Sequence, residues 1–168
     1  MLKYFVSAIF MASIFLSAGC FKKDVCSPVN EVTLSAEERA SLDEFVKEID
    51  TNAIYDSRGF YYRIVKPGTS NKPGVCSDIY SNFECTDGAG FTYFQSANNA
   101  SYTTFDLSDQ NYIWRYAYPM IGMGGEIIVY APPSLREGYE RLKAPIHTNS
   151  GIPAEANVAY KLTLMRYN

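Results

Sequence analysis

Side chains for acid–base or nucleophilic chemistry are scarce in this 168-residue chain. It has one histidine, His147, and four cysteines, Cys20, Cys26, Cys76 and Cys85. A lone histidine in a loop makes no hydrolytic triad, and a metal site needs further ligands beside it. No Cys-x-x-Cys pair occurs, so redox catalysis is not expected either. Aromatic surface is the abundant resource, with 14 tyrosines, 10 phenylalanines and a single tryptophan, Trp114. Tyrosine suits half-buried sheet positions and apolar clefts that need a polar edge. A β-rich fold alone accounts for most of them. The net charge is -3 and no basic block appears, so no nucleic-acid partner is expected. With 47% hydrophobic and 20% charged residues, the composition is that of a folded domain.

The first 20 residues read as an export leader. Lys3 supplies the positive start, and residues 4–16 are apolar except for Ser7 and Ser13. That run is too short to cross a bilayer comfortably. Ser17-Ala18-Gly19-Cys20 resembles the lipobox of bacterial lipoproteins, departing at Ser17, where an aliphatic residue is usual. The resemblance implies a signal peptide over 1–19, lipidation at Cys20, a tether over 20–34 and a place in the bacterial cell envelope, anchored to a membrane. Ordinary secretory cleavage, with Cys20 an incidental thiol, is the alternative. An oxidising compartment gives the other cysteines a structural use. Cys26 with Cys76 is the preferred disulfide, closing a long loop, and Cys76 with Cys85 is the rival.

Two hydrophobic periods divide the remainder. Ser35 and Glu38 form a capping box, and Leu42, Phe45, Val46 and Ile49 follow at helical spacing. They predict an amphipathic N-terminal helix over about 36–50, within a segment spanning 35–52. After Gly59 the pattern turns to strands over 60–65, 75–85, 91–94, 102–107, 126–130 and 158–165. Asp87-Gly88 signals a turn and Pro132-Pro133 a stop. One short helix over 113–121 interrupts the strands, shortened by Pro119. Residues 134–150 read as a long loop. The expected fold class is α+β.

From about residue 58 to 168 the chain resembles the FKBP-type peptidyl-prolyl isomerase domain. The densest stretch is Gly124-Gly125, then the strand to Tyr130, then Pro132-Pro133 and the loop to Gly138. Asp87-Gly88 with Phe91 looks like the family's Asp-Gly-x-x-Phe turn. Tyr80, Phe105 with Leu107, Trp114, Ile152-Pro153 and Tyr160 fall in family order around it. The resemblance implies a curved antiparallel sheet wrapped around a short helix, with a cleft between them. It also implies an envelope folding catalyst that isomerises X-Pro bonds, with proline-containing polypeptides as partners, no cofactor and a monomeric state.

X-Pro isomerisation needs no nucleophile, metal or proton donor. The barrier of about 18–20 kcal/mol is lost amide resonance. An apolar pocket disfavours the planar, dipolar amide relative to the twisted one, and a bent binding path adds to this. The resemblance assigns the substrate-binding wall to Tyr80, Phe91, Phe105, Trp114, Ile152 and Tyr160. Four positions depart from the family: Thr92 replaces an Asp, Glu137 a Tyr, and Gln110 and Asn111 an apolar pair. Tyr139 lies on the other side of Gly138, and Tyr112 and Ile113 are placed to refill the wall. His147 falls near a family loop histidine, as a rim contact. The departures set up the alternative, a non-catalytic FKBP-like module that binds a peptide or partner. An open apolar cleft floored by Trp114 favours the enzyme, and a cleft filled by Tyr112 or Tyr139 favours the module.

Overall fold

The computed structural model describes residues 32–96, 102–136 and 151–168. Ser35 opens the first helix as the capping box predicts, its Oγ accepting the Glu38 amide at 3.1 Å, and α1 runs Ala36–Ile49. Glu38 does not turn back to close the box. Its carboxylate accepts the amide of Ser134 at 3.0 Å, far along the chain.

The strands are β1 (Ile54–Asp56), β2 (Phe60–Lys66), β3 (Asp78–Thr86), β4 (Thr92–Gln95), β5 (Thr103–Asp106), β6 (Gly125–Ala131) and β7 (Val158–Tyr167). They form one antiparallel sheet in the order β1-β2-β6-β7-β3-β4, with β5 pairing the first half of β3. Helix α2 spans Tyr112–Ala117 and α3 spans Pro133–Arg136. The predicted 113–121 helix is therefore cut in two. Pro119 has no amide to donate, and the chain tightens into a 3-10 turn over Tyr118–Met120. The predicted 75–85 strand starts late, at Asp78. Ser77 instead closes a turn, its amide donating to the Gly74 carbonyl at 3.1 Å and its Oγ accepting the Gly74 amide at 3.2 Å. Strand β1 is a finding, because three residues are too few to show a period. Its hairpin to β2 turns through Gly59 at φ +99°, whose amide donates to the Asp56 carbonyl at 2.9 Å.

Alternation along the strands gives the sheet two apolar faces. On the inner face Ile79, Phe83, Ile127, Val129, Leu162 and Leu164 are buried under α2. The outer face presents Tyr61, Ile128, Tyr130 and Ala159, and these receive Leu42, Phe45 and Val46 of α1. The result is three layers, α1, sheet and α2, with the sheet curved over α2. This is the α+β architecture expected from the sequence. Among the described residues no helix is long and apolar enough to cross a membrane.

A polar clamp fixes α1 to the outer face. Asp50, its C-cap, is 7% exposed, and its Oδ2 accepts Tyr130 Oη–H at 2.5 Å and Arg63 Nε–H at 2.5 Å. Burial opposes the charge, but the hydrogen bonds from Tyr130 and Arg63 outweigh it and hold the carboxyl below the usual aspartate range. Because the folded carboxyl is the more acidic, this contribution is present at neutral pH and fades as pH falls through the depressed value. Asp50→Asn should destabilise the fold by about 2–3 kcal/mol at pH 7, as charge-assisted hydrogen bonds of this kind do. Urea melts at pH 7 and below about pH 4 check this. The gap between variant and wild type should narrow at the acid end.

Candidate functional site

Helix α2 has six residues, too short to hold itself together in water. Asn111 caps it, Oδ1 accepting the Trp114 amide at 3.0 Å, and Ile113 to Ala117 are all buried. This explains two departures from the family pattern. Asn111 is the N-cap of α2, a use that calls for a short polar side chain. Gln110 is buried as well, and its Nε2 donates to the Asp106 carbonyl at 3.3 Å. Neither is an apolar wall residue.

The cap sets Trp114 facing the curved sheet. Its ring centroid lies 4.9 Å from Phe83, 5.2 Å from Phe105, and 6.0 Å from both Tyr118 and Tyr160. Phe94 extends the group, 6.1 Å from both Phe83 and Tyr160. These tilted and edge-on arrangements are the favoured ones for aromatic pairs. Tyr118 is anchored behind them, its hydroxyl 2.6 Å from Ser81 Oγ, which donates to the Thr163 carbonyl at 2.8 Å. Burial pushes the Tyr118 and Tyr160 hydroxyls well above the usual tyrosine range, so both stay protonated. The group is an apolar, aromatic cluster. Trp114 itself is 0% exposed. It is therefore enclosed, not the open floor that the sequence led us to expect. Tyr112 is half-buried against the same core and Ile113 lies fully within it.

Of the six wall residues expected from the sequence, four come together: Phe105, Trp114 and Tyr160, with Ile152 packed against the same core. Tyr80 does not. On β3, Ile79, Ser81, Phe83 and Cys85 point inward, so Tyr80 points outward. There its ring meets Tyr102 at 5.2 Å, Arg166 lies over it at 4.1 Å, and its hydroxyl accepts from Asn168 at 3.2 Å. Phe91 is also displaced. Its ring contacts Tyr93 at 5.3 Å and it is 64% exposed. The turn preceding it forms as expected, Asp87 Oδ1 accepting the amides of Ala89 and Phe91 at 2.8 and 3.0 Å. Thr92 donates to Glu84 Oε1 at 3.0 Å across the strand pair, so its hydroxyl is already used. Phe83 and Phe94 take up the wall instead. The signal for Phe83 was available, since it shares parity with Ile79 along β3 and Tyr80 does not.

Cys20, Cys26, Glu137, Tyr139 and His147 lie outside the described residues. Cys76 is disulfide-bonded and Cys85 is a free, buried thiol, which excludes the Cys76–Cys85 clip. Burial pushes the Cys85 thiol up to about 12, so it is inert at neutral pH. No group of metal-ligating side chains is assembled among the described residues.

Asn111→Ala should cost about 1 kcal/mol, as loss of an N-cap does. It should also red-shift or broaden the Trp114 emission band, because the buried indole gains water as α2 loses its register, and Trp114 is the only tryptophan. Denaturant melts followed by fluorescence check both effects.

No family model matches the chain, and no curated protein matches it. Solved structures do match in shape. FkpA from Escherichia coli superposes with a TM-score of 0.62 at 22% identity, over 79% of this chain and 58% of that one. A peptidyl-prolyl cis-trans isomerase from Pseudomonas syringae gives 0.60 at 14% identity, over 83% and 99%. AtFKBP13 gives 0.56 at 14% identity, over 70% and 99%. This chain thus spans little more than half the length of FkpA. The curved antiparallel sheet, the short helix beneath it and the added N-terminal helix are an FKBP-like fold.

Proposed function

We propose that the chain is a peptidyl-prolyl cis–trans isomerase of the bacterial envelope, held at a membrane by lipid on Cys20. A disulfide between Cys26 and Cys76 would pin its N-terminal segment to the domain. The observation that carries the catalytic part is the aromatic group around Trp114, on a fold shared with the Pseudomonas syringae peptidyl-prolyl cis-trans isomerase. Phe83, Phe105, Trp114 and Tyr160 pack ring against ring, with one protonated hydroxyl, that of Tyr160, and no ionised side chain among the four. That is the environment in which a twisted prolyl amide is favoured over the planar one. The envelope part rests on the leader and on the lipobox-like Ser17-Ala18-Gly19-Cys20.

Specific observations favour a second reading, a non-catalytic module that binds peptides or a partner. Phe91 stands in solvent, Tyr80 lies on the other face, Thr92 is committed to Glu84, and Trp114 is enclosed. Each removes a contact that the family resemblance places at the proline.

The deciding experiment is the cis-to-trans rate of short X-Pro peptides, with the residue before proline varied, with and without the purified chain. Under the isomerase reading the rate rises in proportion to protein and falls about tenfold or more in Trp114→Phe, about 1.4 kcal/mol of transition-state stabilisation. No acceleration for any preceding residue, from a folded sample, sinks the enzyme and leaves the binding module.

A further inference from the structure

A cavity of about 680 Å³ lies between the start of α1 and the β1–β2 hairpin, and none of the Trp114 group lines it. Its size is in the range of ligand sites, about 300–1,000 Å³. Val32 and Leu34 give it apolar surface, Tyr55 and Tyr116 give it rings, and Arg39 and Arg58 give it charge. Leu34 seats tightly on the hairpin glycine: a Cβ on Gly59 would come within 3.0 Å of its Cγ.

The two arginines are held rigidly. Arg39 lies over the Tyr55 ring at 3.3 Å, with its Nε on Asp43 Oδ1 at 2.6 Å. Arg58 lies over Tyr116 at 4.7 Å and grips Asp56 with two hydrogen bonds of 2.8 and 2.7 Å. Tyr116 is in turn stacked on Phe60, 5.9 Å apart and 6° from parallel. Asp43 and Asp56 do not line the cavity, so among the described residues its lining carries two arginines and no carboxylate. A guanidinium has five N–H donors, so each arginine keeps donors beyond those its aspartate takes. Both side chains retain solvent access, at 35% and 37% exposure. Ser35 and Ala36 add the start of α1, where the helix dipole is positive.

We infer that this cavity is a binding site for a carboxylate that bears an apolar group: the carboxylate against Arg39 and Arg58 and the apolar group against Val32 and Leu34. Pre-oriented guanidiniums bind a carboxylate without the entropy cost of ordering free side chains. The inference does not depend on isomerase activity.

The test is an amide NMR titration of the full chain with N-acetyl-L-phenylalanine, and with N-acetyl-L-phenylalaninamide as the uncharged control. Saturable shifts are expected at Leu34, Gly59 and Tyr116, about tenfold weaker for the amide and for Arg58→Gln, the size of a lost charge-assisted hydrogen bond. Arg39→Gln is the second variant, should Arg58→Gln fail to fold. A third arm, a peptide ending in phenylalanine, separates the sources. Tighter binding than the free acid identifies a chain end, and equal binding a small molecule. Absence of saturable shifts in wild type, or equal binding of acid and amide, overturns the site. Because the ligands lack proline, either result is independent of the X-Pro assay.

Discussion

The packing of Trp114 against Phe83, Phe105, Tyr118 and Tyr160 is the contact on which the inner half of the molecule depends. Helix α2 is too short to exist without it. The Asn111 cap contributes about 1 kcal/mol, whereas each aromatic pair adds about 0.5–1.5 kcal/mol beyond the area it buries. The rings therefore outweigh the cap in fixing the helix, and the cap chooses its register. Phe83, Phe105 and Tyr160 come from β3, β5 and β7, so one side chain ties three strands to the helix.

The outer half is built on a different principle. Leu42 and Val46 supply apolar contact, but Asp50, Tyr130 and Arg63 set where α1 lies. A buried carboxylate tolerates little displacement, because losing either donor leaves its charge uncompensated. The sheet is thereby covered on both faces, and its curvature over α2 is braced from behind. A stiff sheet suits the proposed isomerase, which would act by shape and polarity and not through a reactive side chain.

Much of this was legible in the sequence. The capping box, the helical spacing of α1 and the order of Asp87-Gly88, Trp114 and Pro132-Pro133 specified the architecture. Site details were less so, and the reasons are physical. Tyr80 was matched by position along the chain, but a strand has period two, and one residue's offset puts a side chain on the opposite face. Gln110 and Asn111 looked like damaged wall positions. Asn111 is instead an N-cap, and its spacing of three from Trp114 carried that signal. Phe91 follows a turn that forms as read, yet no sequence feature states which way a ring at a hairpin end will lean. Strand β1 was too short to show a pattern, and the cavity beside it arises from segments far apart in the chain.

Trp114 is the only tryptophan, so its fluorescence reports on the aromatic group alone. Titrating the folded chain with a short peptide containing proline, and with the same peptide carrying alanine in its place, asks whether that group receives a prolyl ring. The account predicts a saturable change in Trp114 emission with the proline peptide and none with the alanine one. An emission spectrum that neither peptide alters would contradict it, leaving Trp114 as core and nothing more.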